Sequence, residues 1–167
     1  MFEYSLLLIF PAAMALAAWL DLFTMTIPNK ISLVLVAVFL VCAPLTGMPW
    51  EQFFTHIGLG FFVLVIGIAM FAFGLLGGGD AKLLAAAALW IGYDDFLSYL
   101  FIAALFGAGL ALAILSYRGA VPPTWAYRHA WAMRLYDKKE GIPYGIALAA
   151  GALWIFPTTD WFLAVAV

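Results

Sequence analysis

Asp21 and Asp80 are the two residues of this chain whose type and setting best suit chemistry. Asp21 closes an apolar run over residues 4–20 and is followed by the breaker pair Pro28-Asn29. Asp80 follows Gly77-Gly78-Gly79 at the end of another apolar run. Ionisable residues in or near a bilayer are costly and mark functional sites by default. Paired carboxylates can do acid–base hydrolysis without a metal. One, ionised, takes a proton from water, while the other, protonated, donates to the oxygen of the scissile carbonyl. Two close carboxylates do not easily both ionise, so the proton belongs to the pair. A lone aspartate at a helix end is more often a cap than a catalyst. Two on one face, one after three glycines and one beside a Pro-Asn turn, favour the catalytic reading.

The remaining reactive side chains form no rival constellation. Lys82 stands two residues after Asp80, where it either anchors the helix in the headgroups or steadies a carboxylate or a peptide. Asn29 is a turn residue that could also hold its loop over the site. His56 and His129 are far apart and show no HExxH-like spacing, so no metal is expected. Cys42 is the single cysteine, which excludes an internal disulfide, a CxxC zinc site and an iron–sulfur cluster built from this chain alone. Serine and threonine show no Ser–Lys or Ser–His arrangement at membrane depth. No cofactor is expected.

The elements that must position the aspartates are membrane helices. The chain has 167 residues, 68% of them hydrophobic and 10% charged, with a mean hydropathy of +1.11. Soluble domains run at about 45–50% apolar and about 25% charged, so a water-soluble globular domain and a disordered chain are both excluded. A net charge of -2 is too small to suggest nucleic acid as a partner. A spanning helix needs about 20 apolar residues, which predicts an all-α bundle of six transmembrane helices forming one domain over 1–167. The runs cover residues 4–20, 31–45, 53–76, 81–92, 96–117 and 143–156, with no internal repeat. The first carries an acid and no cleavage signal, so it is expected to stay as a membrane helix. The fourth covers only about 18 Å, and three glycines do not favour helix, so irregular backbone is expected before Asp80. Residues 124–139, basic and aromatic, suggest a helix lying in the headgroups.

With six spans, all seven basic residues (Lys30, Lys82, Arg118, Arg128, Arg134, Lys138 and Lys139) fall on one face. Glu3, Glu51, Asp94, Asp95 and Asp160 fall on the other, Asp94 and Asp95 at a solvated hairpin. The basic face is then cytoplasmic, both termini lie outside, and Asp21 and Asp80 sit near the cytoplasmic boundary.

Four segments, in order, carry a resemblance. Gly77-Gly78-Gly79-Asp80 matches the GxGD motif of membrane aspartyl proteases. Its continuation through Ala81-Lys82-Leu83-Leu84 to Leu89-Trp90-Ile91-Gly92 is similar to the type IV prepilin peptidases. Asp21-Leu22 with Ile27-Pro28-Asn29 resembles that family's first-aspartate segment, and Ile142-Pro143-Tyr144-Gly145 resembles the start of its final helix. The chain looks most like the small members associated with tight-adherence pili. The resemblance implies an endopeptidase of the bacterial cytoplasmic (inner) membrane that removes the leader from prepilins or pseudopilins, with Asp21 and Asp80 catalytic. Gly77, Gly78, Gly79, Lys82, Asn29, Pro143, Tyr144 and Gly145 would shape the site or bind substrate. Larger relatives carry a cysteine-paired cytoplasmic region and N-methylate the product, and this chain leaves no place for that region, which argues against methyl transfer. Where relatives often have basic residues, it has Thr24, Met25 and Thr26.

The expected function is therefore leader removal from prepilins during pilus biogenesis, with the bilayer and the precursor as partners. One rival is a small proton-coupled transporter, which should place its acids near the midplane of repeated halves. Another is a non-catalytic assembly subunit, in which both aspartates would be replaceable.

Overall fold

The computed structural model describes the backbone of residues 2–166 and the side chains of residues 8–165. Glu3, assigned above to the outer face, and the two terminal residues lie outside the described side chains. Every regular element among the described residues is helical. The order is α1 (Phe2–Thr24), α2 (Asn29–Leu45), α3 (Trp50–Ala72), α4 (Gly78–Ile91), α5 (Tyr93–Gly119), α6 (Ala130–Tyr136), α7 (Gly145–Ile155) and α8 (Asp160–Ala166), with short 3-10 turns at Ala126–Arg128 and Phe156–Thr158.

The shortest of the predicted runs forms the centre. In α4, Ala81, Leu83 and every residue of 85–91 are buried. A helix apolar on all sides belongs where neighbours cover all of it. The four alanines of 85–88 add little bulk, so those neighbours come close. α3 answers with glycines: a Cβ on Gly67 would lie 3.0 Å from that of Ala81, and one on Gly60 would lie 3.3 Å from Leu89. Small residues on one stripe let two helix backbones approach, the usual packing device inside a bilayer. α7 packs against α1, α4 and α5, and a Cβ on Gly151 would come within 2.9 Å of the Ala103 backbone in α5. Trp90 closes the far end of α4. Its ring lies 5.2 Å from Phe10 and 5.0 Å from Trp161, and its indole N–H donates to Leu35 O at 2.9 Å.

The outer surface is as apolar as the interior. Phe54, Phe61, Phe62, Leu97, Phe101 and Leu112 are each more than half exposed, which suits contact with lipid. Two helices, α3 with 23 residues and α5 with 27, are long and apolar enough to cross a membrane. Three further predicted runs form shorter described apolar helices, over Leu8–Thr24, Asn29–Leu45 and Gly145–Thr158; α7 itself, with 11 residues, rises only about 17 Å.

Several boundaries differ from expectation. The first helix runs past the end of the first apolar run: α1 continues through Thr24, so Asp21 lies in its last turn. Thr24 Oγ1 donates to Leu20 O at 2.7 Å, and Met25, at φ +54°, ends the helix by donating its N–H to Asp21 O at 2.8 Å. The glycine segment is not unwound. Gly77 is the N-cap of α4, and Gly78 and Gly79 are its first residues. The left-handed turn that ends α3 falls earlier, at Gly74, with φ +70°. The expected headgroup helix over 124–139 is broken at His129 into a 3-10 turn and the seven-residue α6. Beyond α7, Pro157 interrupts the helix, and α8 folds back to bury Trp161 and Val165 in the core.

Candidate active site

Asp21 and Asp80 come from different helices and lie at the same end of the bundle, on either side of Ile27. Asp21 is only 5% exposed, and its Oδ2 accepts the N–H of Gly145, the first residue of α7, at 2.8 Å. The amides at a helix start carry partial positive charge, so α7 presents a fixed dipole to this carboxylate. Asp80 occupies the first turn of α4 and folds back over Gly77, where a Cβ would lie 2.6 Å from its Oδ2. Its Oδ1 is enclosed and has no hydrogen-bond partner among the described residues. Ile27 links the two positions: its Cδ1 and Asp21 Oδ2 both crowd the Cβ position of Gly145, and its Cβ crowds that of Gly79, the neighbour of Asp80. A buried carboxyl oxygen without a protein partner is the feature a reacting water or peptide would complete.

Ile27, in the short turn between α1 and α2, sets the spacing. A Cβ on Gly79 would lie 3.1 Å from the Cβ of Ile27, and one on Gly145 would lie 2.6 Å from its Cδ1. One side chain is thus wedged between the starts of α4 and α7, and both glycines are needed to admit it. A side chain at 145 would also meet Asp21 Oδ2 at 2.8 Å. Gly79 is required here by Ile27, in a helical conformation, whereas the sequence suggested irregular backbone.

The other expected site residues divide into two groups. Pro143 is buried just before α7, and Tyr144 packs on α5 at Gly107, where a Cβ would lie 2.5 Å from its ring. Together they seat Gly145 against Asp21. Lys82 and Asn29 find each other: the ammonium donates to Asn29 Oδ1 at 2.9 Å, which ties the first turn of α4 to the start of α2. Gly78 lies against the ring of Phe71 in α3, at 3.3 Å for a built Cβ.

Three residues that position the site escaped sequence reasoning. Ile27 reads as one more apolar residue. Arg118 donates to the carbonyls of Leu135, Glu140 and Gly141 at 2.7, 3.0 and 3.0 Å, and Arg134 to that of Phe23 at 3.0 Å. These two arginines strap the connection between α5 and α7 to the ends of α5 and α1. Their only sequence signal is positive charge beside a long connection, which topology alone already explains. His56 lies elsewhere, buried near Asp94 with Nδ1 2.8 Å from Leu89 O. Among the described residues no three of His, Cys, Asp and Glu gather as metal ligands would.

Comparison with known proteins bears on the same elements. Neither the curated proteins nor the solved structures yield a match to this chain. The family model described as the type IV leader peptidase family matches residues 8–112, a span that holds Asp21, the turn with Ile27, the glycine segment and Asp80. With well over half of its length inside that match, the chain belongs to the type IV leader peptidase family.

Proposed function

We propose that this protein is an aspartyl endopeptidase of the bacterial inner membrane that cleaves the leader from type IV, Flp-like prepilins or pseudopilins. The observation that supports it most is that Asp21, bonded to the first amide of α7, and Asp80, in the first turn of α4, lie at one end of the bundle, with Asp80 Oδ1 enclosed and without a partner among the described residues. The pair shares a proton and holds a water against the scissile carbonyl. The ionised carboxylate takes one proton from that water, and the oxygen adds to the carbonyl carbon. The protonated carboxyl gives its proton to the carbonyl oxygen, which forms a neutral tetrahedral diol. Collapse of the diol breaks the C–N bond, with a proton delivered to the leaving nitrogen. The Gly145 amide keeps Asp21 in one orientation throughout, which is worth more in a water-poor site than in bulk solvent.

Six spans, formed by α1–α5 and α7, would place this site at the cytoplasmic boundary, since all seven basic residues then share one face and both termini lie outside. The test is co-expression with a prepilin of a tight-adherence pilus system, with leader loss scored by gel shift and N-terminal sequencing. Loss of the leader with the intact protein, and retention with Asp21→Asn or Asp80→Asn, is the expected result. Processing that survives either single variant would overturn the reading.

A further inference from the structure

α2 and α3 both pack on α4 but meet each other near their connecting turn, where Phe39 stacks on Phe53 at 5.9 Å and on His56 at 5.6 Å. Away from that turn they part, and a groove of about 550 Å³ opens between them with α4 as its floor. Val36 of α2 and Phe61 of α3 wall it, and Ala85 and Ala86 line its floor. One end alone is polar. There the Lys82 ammonium donates one of its three N–H groups to Asn29 Oδ1 at 2.9 Å, which leaves two over. Ser32 lines the same end and is 8% exposed, and its enclosed hydroxyl has no partner among the described residues. A buried hydroxyl left unpaired is costly, so this one calls for an acceptor from outside the chain.

We propose that this groove is a phospholipid site, with one acyl chain lying along it and the phosphate held by Lys82 and Ser32. The proposal needs the bundle to lie in a bilayer and does not depend on the chemistry assigned to Asp21 and Asp80. Leu33 and Phe61 on the two walls are more than half exposed, so the groove opens sideways onto the lipid-facing surface. Water does not fill an apolar groove that offers it no partners, whereas the hydrocarbon of a bilayer does. The length agrees. From Asn29 to Leu40 on α2, and from Ile57 to Ile68 on α3, the lining rises about 16 Å. One leaflet of hydrocarbon is about 15 Å deep, so a single chain runs the groove and stops at the aromatic stack around Phe39. The volume agrees as well. At about 30 Å³ for a group the size of a water molecule, 550 Å³ holds roughly eighteen such groups, the carbon count of one acyl chain. Among the described residues Lys82 is the one charged group in the lining. A phosphodiester is an anion, and its oxygens accept from both the ammonium and the Ser32 hydroxyl. A cation at one end and hydrocarbon along the rest is the layout of the ligand itself.

The test uses phosphatidylglycerol with a diazirine midway along one acyl chain, added in equimolar amount to delipidated protein in a non-ionic detergent. Photolysis is expected to mark the groove residues of α2 and α3. Val36→Trp, which fills the groove, should cut that yield about tenfold. Leu112→Trp, on the outward face of α5, should leave it unchanged. Ser32→Ala combined with Lys82→Gln should weaken binding of the phospholipid about tenfold. The same pair should leave binding of the matching diacylglycerol, which lacks the phosphate, unaltered. Glycerol phosphate, which lacks the chains, should not displace the probe. Label spread evenly over the lipid-facing surface, a wild-type yield in Val36→Trp, or equal loss of phospholipid and diacylglycerol would each overturn the site. So would displacement by glycerol phosphate alone, or a photo-crosslinking amino acid at position 61 that joins two copies of this chain and captures no lipid. Where Val36→Trp does not accumulate, the position of the label on the unaltered protein decides. None of these measurements involves cleavage, so this site and the leader-peptidase reading stand or fall separately.

Discussion

The amide of Gly145 donates to Oδ2 of Asp21 at 2.8 Å and so joins the start of α7 to the last turn of α1 across 124 residues. The same glycine admits Ile27, whose Cδ1 lies 2.6 Å from the position a Cβ would take. Asp21 therefore owes its orientation to a helix start far along the chain, and that helix start is itself held by Tyr144 in the notch at Gly107.

Gly145→Ala is accordingly expected to cut processing about a hundredfold with little change in insertion, because a displacement near 1 Å of a reacting group has that scale of effect. The added methyl would press on both Ile27 and the Asp21 carboxylate. Initial rates of leader removal, set against the amount of protein in the membrane, measure it. Wild-type rates would show that the amide bond does not orient the site.

Gly79 and Ile27 should couple. Gly79→Ala places a Cβ 3.1 Å from that of Ile27, so the neighbour must give by a few tenths of an ångström, and Gly79→Leu asks for far more. The leucine variant should insert but lose activity. Ile27→Ala opens space, so the pair Ile27→Ala with Gly79→Ala should be less impaired than the sum of the single effects. A double-mutant cycle on processing rate reads this directly, and strict additivity would mean that the two residues do not press on each other.

Much of this was legible in the sequence, for physical reasons that differ by element. The apolar runs over 31–45 and 96–117 are recovered as α2 and α5 within a few residues, because a long apolar run favours a helix, which satisfies its own backbone groups. Asp21 and Asp80 stand out in the sequence because acids are expensive beside apolar runs, and the structure buries the first and encloses Oδ1 of the second. The conformation of the glycine segment was not. Three glycines signal backbone freedom, whereas here Gly79 is helical and its missing side chain makes room for Ile27. Which side chain fills such a space depends on tertiary approach, and no local pattern encodes it. The break at His129 and the return of α8 into the core likewise depend on packing by Trp131 and Trp161 against distant rings, Phe23 at 5.4 Å and Trp90 at 5.0 Å.

The proposed topology has a direct check. In a Cys42→Ser background, single cysteines replacing Glu51 or Asp94 should react with an impermeant thiol reagent applied to intact cells. Cysteines replacing Lys30, Lys82 or Arg128 should react only after permeabilisation. The one-sided distribution of the seven basic residues is the basis for this expectation. Labelling of position 128 from outside would overturn the six-span arrangement.

The last prediction concerns the pair of aspartates as one unit. Asn keeps the size of Asp and most of its hydrogen-bonding capacity. At position 21 it can still accept the Gly145 amide through its carbonyl oxygen, so the link between α1 and α7 should survive and the protein should accumulate normally. What Asn cannot do is accept the proton of the attacking water or share a proton with its partner at neutral pH. Asp21→Asn and Asp80→Asn should therefore each reduce leader removal by about a thousandfold or more, a loss on the scale of general acid–base catalysis. The double variant should be no worse than either single one, because groups that act together are not additive. Processing by the unaltered protein should also persist with a chelator present, since two carboxylates activate the water by themselves. Quantitative gel shift of the co-expressed prepilin, with N-terminal sequencing of the product, measures all four proteins together. Near-normal processing by either single variant would leave Asp21 and Asp80 as structural residues and return the chain to the role of an assembly subunit.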